Sequence, residues 1–295
     1  MSERNGAHGE PRETAQTGAR GGVAARVGKD MGPRIASALV LATVALAAIW
    51  YGSLPFSVLL TLVGGIVAWE WGRIVRGTEV DAAMSAHVAA VLSGLVLTSV
   101  GLTGPAILGV LIGTILTGLL SFGRHAGLSA IGVLCAGLPG IALLWLRSDE
   151  PYGMAAVFFV VLSVVAVDVG AYFCGRLIGG PKLWPRVSPN KTWAGLIGGV
   201  ACAAVVGVGF AGFITGASSV KLGALSALLA IFAQGGDLAE SALKRRFGTK
   251  DASNLIPGHG GFMDRMDGLA AASMVAALWA AALDMTNPAR ALLTL

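Results

Sequence analysis

Residues 153–173 read GMAAVFFVVLSVVAVDVGAYF. The stretch is apolar except for one carboxylate, Asp168. Its length matches the ~20 residues that a helix needs to cross a hydrocarbon layer ~30 Å thick. Similar runs lie at 35–52, 54–70, 84–102, 104–121, 128–147, 194–216, 219–236 and 267–284. The junctions at 52–54 and 102–104 leave open one kinked or re-entrant segment in place of two spans. Composition agrees with these runs. Of the 295 residues, 55% are hydrophobic and 13% charged, against ~25% charged in a soluble domain. Mean hydropathy is +0.75. These values exclude a disordered chain, a coiled coil and a disulfide scaffold, and they argue against a soluble enzyme. The fold class expected is all-α, a polytopic integral membrane protein of about nine transmembrane helices.

Residues 1–33 are polar and rich in Gly, Ala and Arg, and they read as a flexible cytoplasmic tail. Residues 34–295 read as a single transmembrane catalytic domain whose working half covers about 153–285. The long tail fits a retained first span better than a signal peptide. With the tail inside, all of the 21 Lys and Arg except Arg147, Lys221 and Arg290 fall in inside segments. That bias sets the N-terminus in the cytoplasm and, for an odd number of spans, the C-terminus outside. It also accounts for the net charge of +5 without nucleic acid as a partner. Cys135, Cys174 and Cys202 form no C-x-x-C pair, so neither a disulfide framework nor a cysteine zinc site is implied. Glycines within the apolar runs suit close helix packing. His87 and His125 read as surface or interface residues.

Ionisable groups inside apolar spans are costly and are therefore functional candidates. Glu70, Asp168, Asp237 and Glu240 are of this kind, and three of them lie in the second half. Asp168, Tyr172 and Arg176 are spaced to share one helix face. Downstream, Ser188-Pro189-Asn190-Lys191-Thr192 precedes a helical run. Hydroxyls, an amide and a lysine ahead of a helix suit a phosphate, although an N-capping Ser or Thr in a basic loop explains them equally. The segment 234–268 reads QGGDLAESALKRRFGTKDASNLIPGHGGFMDRMDG. Asp237, Glu240, Ser241 and Lys244 fall on one helical stripe, and Asp264 and Asp267 open the last span. Hard-oxygen ligands beside Lys and Arg suit Mg²⁺ with phosphate. His259 reads as a proton donor, a phosphate ligand or a structural residue of its turn.

Segment 241–267 resembles the phosphatidate cytidylyltransferase (CDP-diacylglycerol synthase) family. The positions carrying the resemblance are Ser241, Lys244, Arg245, Lys250, Asp251, His259, Gly260, Gly261, Asp264, Arg265 and Asp267. Asp168-x-Gly170-Ala171-Tyr172, Ser188-Pro189-x-Lys191-Thr192-Trp193 and Gly236-Asp237 add to it. Ala194 departs from it, standing where relatives often carry Glu. The resemblance covers about 34–285. It implies transfer of CMP from CTP to phosphatidate, with release of pyrophosphate, in the cytoplasmic membrane of a bacterium. Mg²⁺ is the implied cofactor, with room for a second cation. CTP, phosphatidate and the bilayer are the implied partners, and a homodimer is open to it. Asp237, Asp264 and Asp267 become the leading metal carboxylates, joined by Asp168. Asp237, Lys244, Asp264, Asp267 and His259 take catalytic roles. Ser188, Lys191, Thr192, Ser241, Arg245, Lys250 and Arg265 take substrate-binding roles.

Two rival readings fit less well. Asp264-x-x-Asp267-Gly268 resembles the start of the CDP-alcohol phosphotransferase pattern, but Ala272 stands where that pattern needs Arg. A transporter would accommodate Gly-rich helices and intramembrane acids, but not their clustering at one face.

Overall fold

The computed structural model describes residues 35–77, 80–258 and 260–294. Among them, eight helices are long and apolar enough to cross a membrane. They are α2 (Ser53–Arg76), α3 (Ala82–Ser99), α4 (Thr103–Leu120), α5 (Ala126–Arg147), α6 (Gly153–Leu177), α7 (Trp193–Phe210, extended by a 3-10 turn to Phe213), α8 (Ser219–Arg246) and α9 (Met263–Leu283). A shorter apolar helix, α1 (Ile35–Tyr51), precedes them. The protein is thus an all-α polytopic membrane protein, with eight long apolar helices and this shorter one among the described residues. The two doubtful junctions are real breaks. Gly52 (φ 122) separates α1 from α2, and Gly101 (φ 84) lies between α3 and α4. Both backbones occupy the positive-φ region, which a side chain disfavours.

Two elements were not foreseen. The basic loop after α6 folds into an antiparallel hairpin, β1 (Lys182–Trp184) with β2 (Ser188–Thr192), in which Lys182 faces Thr192 and Trp184 faces Ser188. Thr192 then caps α7, its side chain accepting the Gly195 N–H at 3.0 Å. At the opposite face of the bundle, α10 (Pro288–Thr294) has its first amides, Ala289 and Arg290, bonded to Asp149 at 2.7 and 3.0 Å. His87 is fully buried within α3 rather than on the surface, whereas the His125 ring lies edge-on to Phe247.

Helices meet where side chains are small, as van der Waals packing in a bilayer favours. A Cβ on Gly113 of α4 would overlap Ala90 of α3. Gly195 and Gly199 of α7 face the backbone of α6. A Cβ on Gly236 of α8 would lie 2.6 Å from the carbonyl oxygen of Asp267. This last contact brings the carboxylates of α8 and α9 together.

Candidate active site

The site lies where the C-terminal ends of α6 and α8 meet the hairpin and the first turns of α9. Asp168 comes from α6, and Gln234, Asp237, Glu240, Ser241 and Lys244 come from one stripe of α8. Lys191 arrives from β2, and Asp264 and Asp267 from α9. Asp237, Glu240 and Asp267 can each place a carboxylate oxygen within 4.8 Å of the other two. Glu240 Oε1 is buried and has no hydrogen-bond partner. An orphaned carboxylate oxygen beside two further carboxylates is the donor set that a hard divalent cation takes. The residues present therefore fit Mg²⁺.

Cations bracket the cluster on two sides. Lys191 Nζ contacts Asp237 Oδ2 at 2.6 Å and donates to Gln234 Oε1 at 2.8 Å. Gln234 in turn donates from Nε2 to Asp168 Oδ1 at 3.0 Å. Ser241 Oγ donates to Asp237 Oδ1 at 3.3 Å. On the other side, Lys244 Nζ bridges Glu240 at 2.9 Å and Asp264 at 2.6 Å. The Asp264 carboxylate also accepts the N–H groups of Ala252 (3.0 Å) and Gly261 (2.7 Å). Its oxygens are thus engaged in fixing Lys244 and the preceding loop, while Glu240 joins Asp237 and Asp267.

Two polar cavities share Asp168 and Asp237 as a common wall. One, of about 560 Å³, is lined by Tyr172, Arg176, Asn190, Lys191 and Thr192. The other, of about 460 Å³, is lined by Glu240, Lys244, Asp251, Asp264, Arg265 and Asp267. Ser188 sits in β2 opposite Trp184, and it lines neither cavity. Arg245 and Lys250 are exposed and line neither. His259 lies outside the described residues.

The family model matching residues 32–283 describes a cytidylyltransferase family. The chain belongs to this family. The chain is 38% identical over 255 residues to a Brucella suis protein named phosphatidate cytidylyltransferase, covering 84% of this chain and 92% of that one. A Bacillus subtilis protein of the same name is 30% identical over 252 residues, covering 81% and 93%. A Staphylococcus haemolyticus protein, again of that name, matches at 42% identity over 129 residues, or 43% of this chain and 50% of that one.

Glu70, Gln234 and Glu240 are site-forming residues to which the sequence assigned no catalytic, substrate or metal role, although Glu70 and Glu240 stood out as intramembrane acids. Glu70, on α2, has no solvent exposure. It accepts the Ser253 hydroxyl, the Phe262 N–H at 3.1 Å and the Met263 N–H at 2.7 Å. It thereby satisfies the open N-terminus of α9, where a negative charge also opposes the helix dipole. A Cβ on Gly261 would run into the Glu70 carboxylate, which explains the second glycine of the pair at 260–261. A charged residue inside an apolar run was the available signal for Glu70; for Gln234, it was an amide one turn before Asp237.

Proposed function

We propose that the chain is a phosphatidate cytidylyltransferase of the bacterial cytoplasmic membrane. In this reading it transfers CMP from CTP to phosphatidate, giving CDP-diacylglycerol and pyrophosphate. The observation carrying the proposal is the pair of polar cavities meeting at Asp168 and Asp237, beside the Asp237–Glu240–Asp267 cluster. Family membership and the names of full-length relatives point the same way. The N-terminus and the site face the cytoplasm, where CTP is available, and the C-terminus faces outward.

A phosphate oxygen of phosphatidate attacks the α-phosphorus of CTP. An oxygen–phosphorus bond forms there as the bond to the β-phosphate's bridging oxygen breaks, and pyrophosphate leaves. A phosphate monoester has a second pKa of ~6, so the nucleophile is already ionised near neutrality. No activating base is required. The barrier lies in bringing two polyanions into line, and fixed cations lower it by neutralising charge. Lys191 and Arg176 face the first cavity, and Lys244 and Arg265 face the second. Asp237, Glu240 and Asp267 would hold Mg²⁺, which supplies charge neutralisation on the phosphates when bound. Asp168, across from Asp237, is the carboxylate available to a second cation. Asp264 keeps Lys244 aimed at the phosphates.

Purified protein in detergent, given CTP, phosphatidate and Mg²⁺, should release pyrophosphate and form a CMP-bearing lipid. ATP, GTP and UTP should support far less. Pyrophosphate release without phosphatidate, or no release at all, would overturn the proposal.

A further inference from the structure

Away from the carboxylate cluster, in the first half of the chain, a second set of buried polar groups has no protein partner. Arg76 ends α2, His87 lies in the second turn of α3, and Thr117 lies in the last turn of α4. Ser121 follows α4, and Ser129 lies in the first turn of α5. The Arg76 side chain is 1% exposed, and the other four residues are equally buried. Arg76 Nε and Nη1, both ring nitrogens of His87 and all three hydroxyls form no hydrogen bond among the described residues.

Helix register gathers these groups. A Cβ on Gly113 of α4 would overlap Ala90 of α3 and lie 3.8 Å from Val133 of α5, so these three positions share one level. One turn toward the end where α2 and α4 finish, the three helices present Thr117, His87 and Ser129. A further turn brings Ser121 and Met84, and Met84 Sδ receives the remaining Arg76 donor, Nη2, at 3.5 Å. Arg76 is also the charged group that faces His87.

The unpaired atoms are mostly donors. Arg76 offers N–H groups from Nε and Nη1, and each hydroxyl can donate. Only one ring nitrogen of a neutral His87 is confined to accepting. Charge is biased the same way. The charged neighbours of Arg76 are Asp81 and Arg124. Asp81 Oδ1 stands 3.9 Å from Arg76 Nε, beyond hydrogen-bond reach, and accepts the Met84 N–H at 2.7 Å. Its other oxygen pairs with Arg124 at 3.3 Å. Two guanidinium groups thus share one carboxylate. A buried guanidinium with unused donors is costly, and an anion among those donors removes the cost. Water would bring hydrogens of its own that need acceptors, and acceptors are what this cluster lacks.

We propose that Arg76, His87, Thr117, Ser121 and Ser129 form a binding site for a small monovalent anion, with chloride as its occupant. Close packing at Gly113, and at Gly118, whose Cβ would lie 3.3 Å from Ala130, suits a monatomic ion better than a phosphate. The site is independent of the reaction proposed above. Its effect is on the scaffold, where the ion ties the end of α2 to α3, α4 and α5. The same α2 carries Glu70, which holds the start of α9.

Equilibrium dialysis of the purified protein in detergent against radioactive chloride should show a single saturable site per chain. Replacing gluconate by chloride at constant ionic strength should raise the unfolding midpoint by roughly 2–4 °C, as for a ligand that binds only the folded state. Bromide should substitute for chloride. Arg76→Gln should abolish saturable binding. Thr117→Val combined with Ser129→Ala should weaken chloride binding at least about tenfold, the worth of a hydrogen bond to a charged group. That double variant should melt in gluconate no earlier than wild type, because apolar groups replace unpaired buried hydroxyls. No saturable chloride uptake by the wild type would overturn the proposal, as would equal uptake by the wild type and the double variant. Identical wild-type midpoints in chloride and gluconate would overturn it too. So would an earlier melt of the double variant in gluconate with its chloride response undiminished, since the hydroxyls would then be structural only.

Discussion

Glu70 on α2 accepts the backbone N–H of Met263 at 2.7 Å across 193 positions of sequence. Through this bond and its contacts to Phe262 and Ser253, a helix in the first half of the chain sets where α9 begins. Asp264 and Asp267 lie one and four residues further on, so Glu70 governs the height of both. It touches neither proposed substrate cavity, and its role is positioning.

Glu70→Ala should leave two helix N-terminal amides and a hydroxyl buried without an acceptor. A lost cap costs about 0.5–2 kcal/mol, and each stranded buried group about 1–3 kcal/mol. The variant should unfold several degrees earlier in detergent and turn over far more slowly. Glu70→Gln keeps one oxygen and should fall between the two. A wild-type melting curve for Glu70→Ala would refute the cap.

Asp267→Asn and Glu240→Gln keep side-chain shape and remove charge from the carboxylate cluster. Turnover should fall by more than the 10–100-fold typical of residues that only support a metal ligand. The Mg²⁺ concentration for half-maximal rate should rise. Activity within threefold of wild type in both variants would remove the cluster from catalysis.

Lys244 holds Glu240 and Asp264 together and lines the second cavity. Its contact with a phosphate is worth about 1.5–3 kcal/mol, or roughly 10–150-fold. Lys244→Met should raise a substrate KM or lower kcat by that order while Mg²⁺ dependence persists. Arginine at 244 should rescue only in part, because a planar fork does not reproduce a compact ammonium. Normal steady-state kinetics in correctly inserted Lys244→Met would exclude the lysine from the site.

Gly236→Val places side-chain atoms against the Asp267 carbonyl and should push α8 away from α9. Asp237 and Asp267 would separate, so the Mg²⁺ requirement should increase more than the KM for CTP. Gly209 of α7, whose Cβ would meet nothing within 4 Å, should accept Ala with little effect. Equal tolerance at both positions would mean that the close approach is not needed.

Topology can be tested with single cysteines in a Cys135→Ala, Cys174→Ala, Cys202→Ala background. Lys182→Cys and Gly248→Cys should react with an impermeant maleimide only from the cytoplasmic side, and Arg290→Cys only from outside. Labelling of 182 and 248 from opposite sides would split the proposed site.

The sequence by itself determined the apolar helices, because a membrane span must be continuous and long enough, and both properties are local. It also placed Asp237, Glu240, Ser241 and Lys244 on one stripe, since helical periodicity assigns a face without knowledge of the neighbour. Tertiary structure alone decided which neighbour each face meets. Asp264 and Glu240 look alike in sequence, as acids close to a basic residue, Arg265 and Lys244 respectively. Only the approach of α8 to α9 at Gly236 leaves Asp264 engaged by Lys244 and two amides, with Glu240 beside Asp237 and Asp267. The hairpin that carries Lys191 to Gln234 and Asp237 was hidden in a loop broken by Gly and Pro, where no periodicity marks a strand. Glu70 announced itself only as a costly charge. Its partners come from a segment almost two hundred residues away, and such a pairing is set by packing that no local pattern records.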